Sequence, residues 1–495
     1  MNEASSSSFL RAAFRRISLL LFVVALAACA QQPRFQEPKP IGVPSRWATT
    51  EVGPAQPPTE LANWWQRFGD ETLGLLIEEA LDHSPTVQSA VAALRQSRAL
   101  ASVAAARLAP AVTGSASAQR SYSDAQGSFN SFGLGLDASW EPDLFGGLHA
   151  GVEAAEADAR ALEMALGNVQ VSLAAEVALA YIDLRSQQER LAIARANLAS
   201  QDDTLQIARW RNQAGLASAL DVEQALSLVE QTRAQVPLLE TALALVRNRL
   251  AVLTGRAPVD LAELPTAPVP LPPDDLALAF PADTLRQRPD VRQAEAQVHA
   301  AYARVSQADA ARYPSLNLGA AIGLQSLTLG SLLNSSSVIG SILAGVTQPV
   351  FDGGAIAGQR LAQQAALEQA HAAYRSSVLT ALQDVEDALA VLQGDRARVG
   401  SLNAAAMAAG NADLLARQQY EAGLIDFSTA LQSQRTLLAA QDAQASVVAS
   451  LATGHVQLYK ALGGGWLPDL ADTADATRVD PDPDPDAAAV RSIAH

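Results

Sequence analysis

Two segments decide the fold: Ser131-Phe-Gly-Leu-Gly-Leu-Asp-Ala-Ser-Trp140 and Leu316-Asn-Leu-Gly-Ala-Ala-Ile-Gly-Leu-Gln325. In the first, Phe132, Leu134, Leu136, Ala138 and Trp140 alternate with Ser131, Gly133, Gly135, Asp137 and Ser139. In the second, Leu316, Leu318, Ala320, Ile322 and Leu324 alternate with Asn317, Gly319, Ala321, Gly323 and Gln325. This period of two gives a strand one large apolar face and one small or polar face. Each segment has about the 9–11 residues that a membrane-crossing strand needs. Less regular partner strands fit near 111–119 and 338–350, and the Ser- and Gly-rich stretches Arg120–Asn130 and Ser326–Ser337 read as loops. Four strands cannot close a barrel, and lipid tolerates no open sheet edge. Bacterial barrels begin at about eight strands, so in a membrane several copies must each lend four. Two copies are the minimum, and three give a wider pore. The alternative is a soluble four-stranded sheet packed on one face, for which the helices, engaged lengthwise, offer no evident cover.

Working outward, the two halves of the chain repeat at an offset of about 205–208 residues. Arg107-Leu-Ala-Pro-Ala-Val-Thr-Gly114 parallels Arg312-Tyr-Pro-Ser-Leu-Asn-Leu-Gly319, and Glu141-Pro-Asp-Leu-Phe-Gly-Gly147 parallels Gln348-Pro-Val-Phe-Asp-Gly-Gly354. Arg211-Asn-Gln-Ala-Gly-Leu216 parallels Gln419-Tyr-Glu-Ala-Gly-Leu424. Both halves read helix, strand, strand, very long helix, Gly-Leu turn, second helix, which is an internal tandem repeat. Val177, Leu184, Leu191, Leu198 and Leu205 fall seven apart, and Leu239, Leu243, Val246, Leu250 and Leu253 step by four and three, as coiled coils do. The proline-free run from Leu148 to Ala214 would make a helical rod of roughly 100 Å. Its partner returns from Ser218 to Leu253, leaving Gly215 and Gly423 as turn glycines at two hairpin tips.

At the N-terminus, Arg11, Arg15 and Arg16 precede the apolar run Ile17 to Ala28, and Cys29 follows. That run suits a signal-peptide core and is too short to span a bilayer of roughly 30 Å. Leu26-Ala-Ala-Cys29 resembles a bacterial lipobox, which implies a covalent lipid on Cys29; an ordinary A-x-A-type cleavage site would leave that cysteine a bystander. Ala30 follows where sorting rules for such lipoproteins point to the outer membrane. No second long apolar stretch stands out, so any membrane crossing falls to strands. The chain of 495 residues carries a net charge of −16, a poor match for nucleic acid. One cysteine and six scattered histidines give no internal disulfide and no metal-ligand spacing. No nucleophile–base pair or phosphate loop stands out, so the chain reads as neither an enzyme nor a cofactor carrier beyond its lipid.

With these features in place, the sequence resembles the outer-membrane efflux lipoproteins of the OprM and NodT type, relatives of TolC. The resemblance spans most of the chain. It rests on the lipobox, Trp64-Trp-Gln-Arg-Phe68, Trp140-Glu-Pro-Asp-Leu-Phe-Gly146, Arg286-Gln-Arg-Pro-Asp-Val291, Tyr313-Pro-Ser-Leu316, Gln348-Pro-Val-Phe-Asp-Gly353, Tyr420-Glu-Ala-Gly423 and Gln434-Arg435. It implies an α+β membrane protein: a homotrimer whose long antiparallel coiled-coil helices form a periplasmic α-barrel, and whose strands, four per protomer, complete a transmembrane β-barrel by oligomerisation. It further implies a passive exit duct of a tripartite efflux pump, anchored in outer-membrane lipid, with a periplasmic adaptor and an inner-membrane RND-type transporter as partners. An exit duct for type I protein secretion, or a periplasmic coiled-coil scaffold lipoprotein with no pore, are the alternative readings.

The implied organisation is a signal peptide over 1–28, a lipid-anchored tether over 29–58 and an equatorial segment over 59–84. A first repeat covers 85–255 with strands within 109–142, and an equatorial linker covers 256–288. A second repeat covers 289–463 with strands within 313–351, and an equatorial and acidic tail covers 464–495. The resemblance points to the tips as gate: Gly215, Leu216, Gly423 and Leu424 would meet the adaptor. Gln432 stands where close relatives carry an aperture aspartate, beside Arg435, with Asp221 and Asp426 as acidic candidates. Each has a plainer reading. Ser218 and Asp221 form a capping box, and Asp426 occupies the equivalent N-cap. Arg435 lies too deep in its helix to cap it and reads equally as a solvated face. Trp64 and Trp65 read as packing residues, and Arg286 and Pro289 as a helix entry.

Overall fold

A computed structural model describes residues 42, 47, 61–124, 127–261, 263–273 and 285–467. The stretch expected to be a signal peptide, Cys29 and the acidic tail after Leu467 lie outside the described residues, as does most of the expected tether. Contacts divide the chain into two compact units. One takes its described residues from 93–162 and 293–375, the other from 42–92, 163–292 and 376–467.

The first unit holds the sheet: β1 (Ala111–Ser123), β2 (Gly127–Trp140), β3 (Ser315–Ser326) and β4 (Val338–Thr347), hydrogen-bonded in chain order and all antiparallel. Opposite Leu134 stand Ala116 and Leu324, and opposite Leu136 stand Gly114 and Ile322, so the apolar faces of the two deciding segments coincide. That face continues onto β4 through Val338, Ile342 and Val346. Nothing among the described residues covers it: Leu136, Ile322 and Val346 are exposed, and Ile342 is 91% exposed. A soluble sheet packed on its own helices is therefore not what the chain builds. The other face is small. Gly135 and Gly323 pair in register, and a Cβ at Gly323 would stand 2.6 Å from the Leu134 carbonyl oxygen, so only glycine permits so close an approach of β2 and β3.

The first hairpin is longer than its hydropathy implies. Arg120–Asn130 reads as a loop, yet pairing runs on to Ser123 and Gly127. Its ladder is made of backbone groups and persists where side chains no longer alternate in polarity. The fourth strand stops short of 350 because Pro349 cannot donate to a ladder. It read as irregular because Ile339 and Leu343 put apolar side chains on its second face too.

Around the strands the helical series recurs with matching lengths. Numbering in chain order, α1 is Glu71–His83, α2 Pro85–Ala106, α3 Gly147–Gln213, α4 Ala219–Leu253, α5 Pro289–Ala310, α6 Ala355–Glu421 and α7 Phe427–Ala461. Helices α2 and α5 have 22 residues each, α3 and α6 have 67, and α4 and α7 have 35. The chain is thus mostly helical with one small sheet. Asp143 opens α3 by accepting from the His149 amide, while Asp352 opens α6 by accepting from the Gly354 and Ile356 amides. One stretch of α3 reaches a mean hydropathy of 1.4, apolar enough by composition to cross a membrane, contrary to the sequence reading; 56% of it is buried in protein, as in a core helix.

In the second unit the heptad residues Val177, Leu184, Leu191 and Leu205 are buried. Val177 and Leu184 join a core with Trp64, Trp65, Leu73, Ile77, Val385, Val456 and Tyr459, and Trp64 stacks on Tyr459 at 5.1 Å. Trp47 belongs to the same core at 2% exposure, so the tether is not solvated along its whole length. Arg288, which sequence marks only as preceding a helix-opening proline, is a buried hub. It donates to the Ala461 carbonyl (2.8 Å) and to the carboxylates of Asp290 (2.7 Å) and Asp384 (2.9 Å). Desolvation opposes its charge, and those two carboxylates outweigh it, raising its pKa.

Candidate functional site

Both hairpin tips are built alike. Gly215 and Gly423 each adopt φ of 75°, the left-handed conformation that lets a helix end without a Cβ clash. The amide of Leu216 donates to the Arg211 carbonyl (2.7 Å), as that of Leu424 does to Gln419 (2.8 Å). These six-to-one bonds close Schellman motifs and turn both leucine side chains to solvent, Leu216 70% and Leu424 74% exposed. At the first tip Ser218 Oγ accepts from the Asp221 amide (3.2 Å) while the Asp221 carboxylate accepts from the Ser218 amide (3.0 Å), a complete capping box. At the second, Asp426 sits at the N-cap with extended backbone but makes no capping side-chain bond, so its carboxylate stays exposed in solvent.

The two tips are tied by a residue not singled out from the sequence. Arg211, in the last turn of α3, donates to the Tyr420 carbonyl at the end of α6 (2.5 Å) and lies 4.7 Å over the Tyr420 ring. Tyr420 packs on Phe427 at 5.2 Å, and a small core of Leu205, Ala208, Val229, Ala430 and Leu431 closes beneath. Burial pushes the Tyr420 phenol above its ordinary range; the Arg211 guanidinium opposes that shift and the nearby Asp221 carboxylate adds to it. Asp221 thus faces the joined tips while serving as a cap. Farther along, polar rungs join the helices: Gln434 to Thr204 (2.7 Å), which is buried, and the partly exposed pairs Asn197 to Gln441 (2.7 Å) and Arg190 to Asp442 (2.6 Å).

Gln432 and Arg435 lie on α7 with exposed side chains. Among the described residues Arg435 forms no ion pair, and only the Gln432 main chain is engaged, its carbonyl accepting from Thr436 Oγ1. Neither is brought against Asp221 or Asp426 within the protomer. The sequence signal that could have found Arg211 is its place in the repeated Gly-Leu turn motif, where the second copy has Gln419.

No group of three or more metal-ligating side chains gathers among the described residues. Paired helical hairpins with solvent-facing tips, carried with a four-stranded sheet whose apolar face is bare, define a channel-type membrane component. The chain belongs to the outer membrane efflux protein family, whose model matches residues 76–256 and 280–464. It is 32% identical over 469 residues to the pyoverdine export outer membrane protein OpmQ of Pseudomonas aeruginosa, covering 92% of this chain and 98% of that protein. It is 33% identical over 467 residues to the toluene efflux pump outer membrane protein TtgF of Pseudomonas putida, covering 90% and 95%. Among solved structures it is similar to the outer-membrane channel OprN (TM-score 0.82, 31% identity, 89% of this chain and 100% of that one). It is also similar to the open state of the Neisseria gonorrhoeae MtrE channel (TM-score 0.79, 26% identity, 88% and 98%). The chain is an outer-membrane efflux protein, a transport component and not a member of an enzyme family.

Proposed function

We propose that the chain is the exit duct of a tripartite, RND-type efflux pump: a homotrimer whose twelve strands close one barrel in the outer membrane. A covalent lipid on Cys29 anchors it, and a periplasmic adaptor engages Leu216 and Leu424 at the tips. The observation that carries this reading is the sheet. Its apolar face is bare, and β1 and β4 are free edges among the described residues. Such edges cannot remain in lipid, whereas β4 of one copy beside β1 of the next removes them without any new element. Glycines on the small face suit the inside of the curve, and exposed leucines suit the outside. The exposed apolar residues Leu238 and Leu245 on α4, and Met407 and Leu414 on α6, would meet on neighbouring copies in a head-to-tail ring. The recurrence of 22-, 67- and 35-residue helices supports descent from one duplicated unit.

Relatives named for pyoverdine export and toluene efflux favour small-molecule efflux over protein secretion. A poreless scaffold lipoprotein would have no use for the bare sheet face. Reconstitution of the purified protein in planar bilayers tests the reading. Discrete conductance steps from a heat-modifiable oligomer are expected. A membrane-bound protein that forms no steps, even with adaptor present, would overturn it.

A further inference from the structure

At its far end the first hairpin carries the bare apolar face of the sheet into a polar collar. Along β1 that face reads Val112, Gly114, Ala116, Ala118, Arg120 and Tyr122, and opposite the last three stand Phe132, Asn130 and Ser128 on β2. Two charged residues lie in the four strands, Arg120 and Asp137, and the ladder puts Asp137, opposite Thr113 and Ala321, on the other face. Arg120 is therefore the one strand charge on the apolar side. Its side chain is exposed, and no carboxylate pairs with it among the described residues, Asp124 of the turn included. Tyr122 beside it is 73% exposed. At the opposite end of the same face the Trp140 indole donates to the Leu108 carbonyl (2.9 Å), and α3 begins just beyond at Gly147. The Arg120 end is thus the one that points away from the rods.

Height decides what Arg120 meets. Its cross-strand partner Asn130 stands ten residues before Trp140. At about 3.4 Å per residue and a tilt near 40°, Arg120 lies about 26 Å above the Trp140 row. The apolar band of an outer-membrane barrel is about 25 Å tall, with aromatic residues at both borders. Trp140 and Tyr122 fit those borders, which sets Arg120 at the outer one, level with lipid headgroups and clear of the hydrocarbon. We infer that Arg120 binds the phosphate of an acidic outer-leaflet lipid, a phosphorylated glycolipid, with Asn130 and Tyr122 as its polar neighbours. The inference rests on the channel reading above, which turns this face towards lipid. Below the cation an apolar groove lined by Gly114, Ala116, Leu134, Leu136 and Ile322 offers the lipid's chain a path along the sheet. A guanidinium presents two parallel N–H donors to a phosphate, so charge and shape both match. A cation merely solvated at the surface would show no preference among lipids.

The test compares two forms of one lipid. The full-length trimer in mild detergent is given lipid A carrying its phosphates, or the same lipid with them removed, and native mass spectrometry reads the lipid retained. The parent should hold the phosphorylated form about fivefold more tightly per arginine, the effect of one basic residue at an anionic lipid surface. Arg120→Gln should lose that preference, and Arg120→Lys, which keeps the charge without the planar fork, should keep part of it. Asn130→Arg in the Arg120→Gln background returns a guanidinium to the same face about 5 Å away and should restore the preference. Gln119→Arg in that background lies on the opposite face and should not. Equal preference in the parent and Arg120→Gln overturns the inference, as does rescue by Gln119→Arg to the same extent as by Asn130→Arg. Single-channel conductance of the unmutated protein keeps the two claims apart. Conducting channels without the lipid preference sink the phosphate contact alone, whereas protein that never conducts sinks the channel reading itself.

Discussion

Arg211→Ala should loosen the tips. In the protomer this side chain supplies a charge-assisted hydrogen bond to the Tyr420 carbonyl and a cation–π contact with the Tyr420 ring. A hydrogen bond to a charged group contributes about 1.5–3 kcal/mol, and a partly exposed cation–π contact about 0.5–1. Arg211 is only half-buried, so solvent screening reduces the sum to about 1–2 kcal/mol. At 1.4 kcal/mol per factor of ten in an equilibrium constant, the ratio of joined to parted tips falls about 5- to 30-fold. Single-channel recording reads this as a higher open probability, and whole cells read it as greater entry of large antibiotics. Arg211→Lys keeps the charge and loses the planar stack, so it should fall between the two. An open probability for Arg211→Ala within twofold of the parent, with the oligomer intact, would refute a latch at this contact.

Three further outcomes follow from the geometry. Gly323→Ala places a methyl 2.6 Å from the Leu134 carbonyl and should sharply reduce the heat-resistant oligomer on gels; Gly330→Ala, in open space, should leave it unchanged. The Asp143 carboxyl is raised by partial burial but held below its ordinary value overall by bonds from the His149 amide and ring and the Leu148 amide. Its contribution to stability is therefore present above the unfolded value near 3.8 and lost as pH falls through the lower folded value. The stability gap between parent and Asp143→Ala, followed by far-UV circular dichroism on acid titration, should be full at pH 6 and close only below pH 3.8. Arg435→Gln should raise closed-state leakage if this exposed side chain reaches a neighbouring copy in the aperture, and an unchanged closed-state conductance removes it from the gate.

Much of this arrangement was legible from local signals. Alternation at 131–140 and 316–325 placed two strands and their faces, because a strand buried on one side must obey a period of two. Leucines seven apart located the buried seam of α3, and Gly215 and Gly423 located the tips through a conformation that penalises every other residue. What stayed hidden depends on distance along the chain. Arg211 meets Tyr420 across 209 residues, and Arg288 meets Ala461 across 173, contacts that no local period encodes. Trp47 sits in a Pro-rich run whose composition says tether, yet one indole finds the core. Strand pairing beyond Gln119 escaped notice because backbone ladders leave no trace in hydropathy.

Native mass spectrometry of the protein extracted from outer membranes in mild detergent tests the central claim most directly. Particles of three chains, each carrying lipid mass on Cys29 and falling apart only on heating, are the expected result. A stable single chain that stays soluble once detergent is removed would contradict it, because the bare face of the sheet would then need neither lipid nor neighbours.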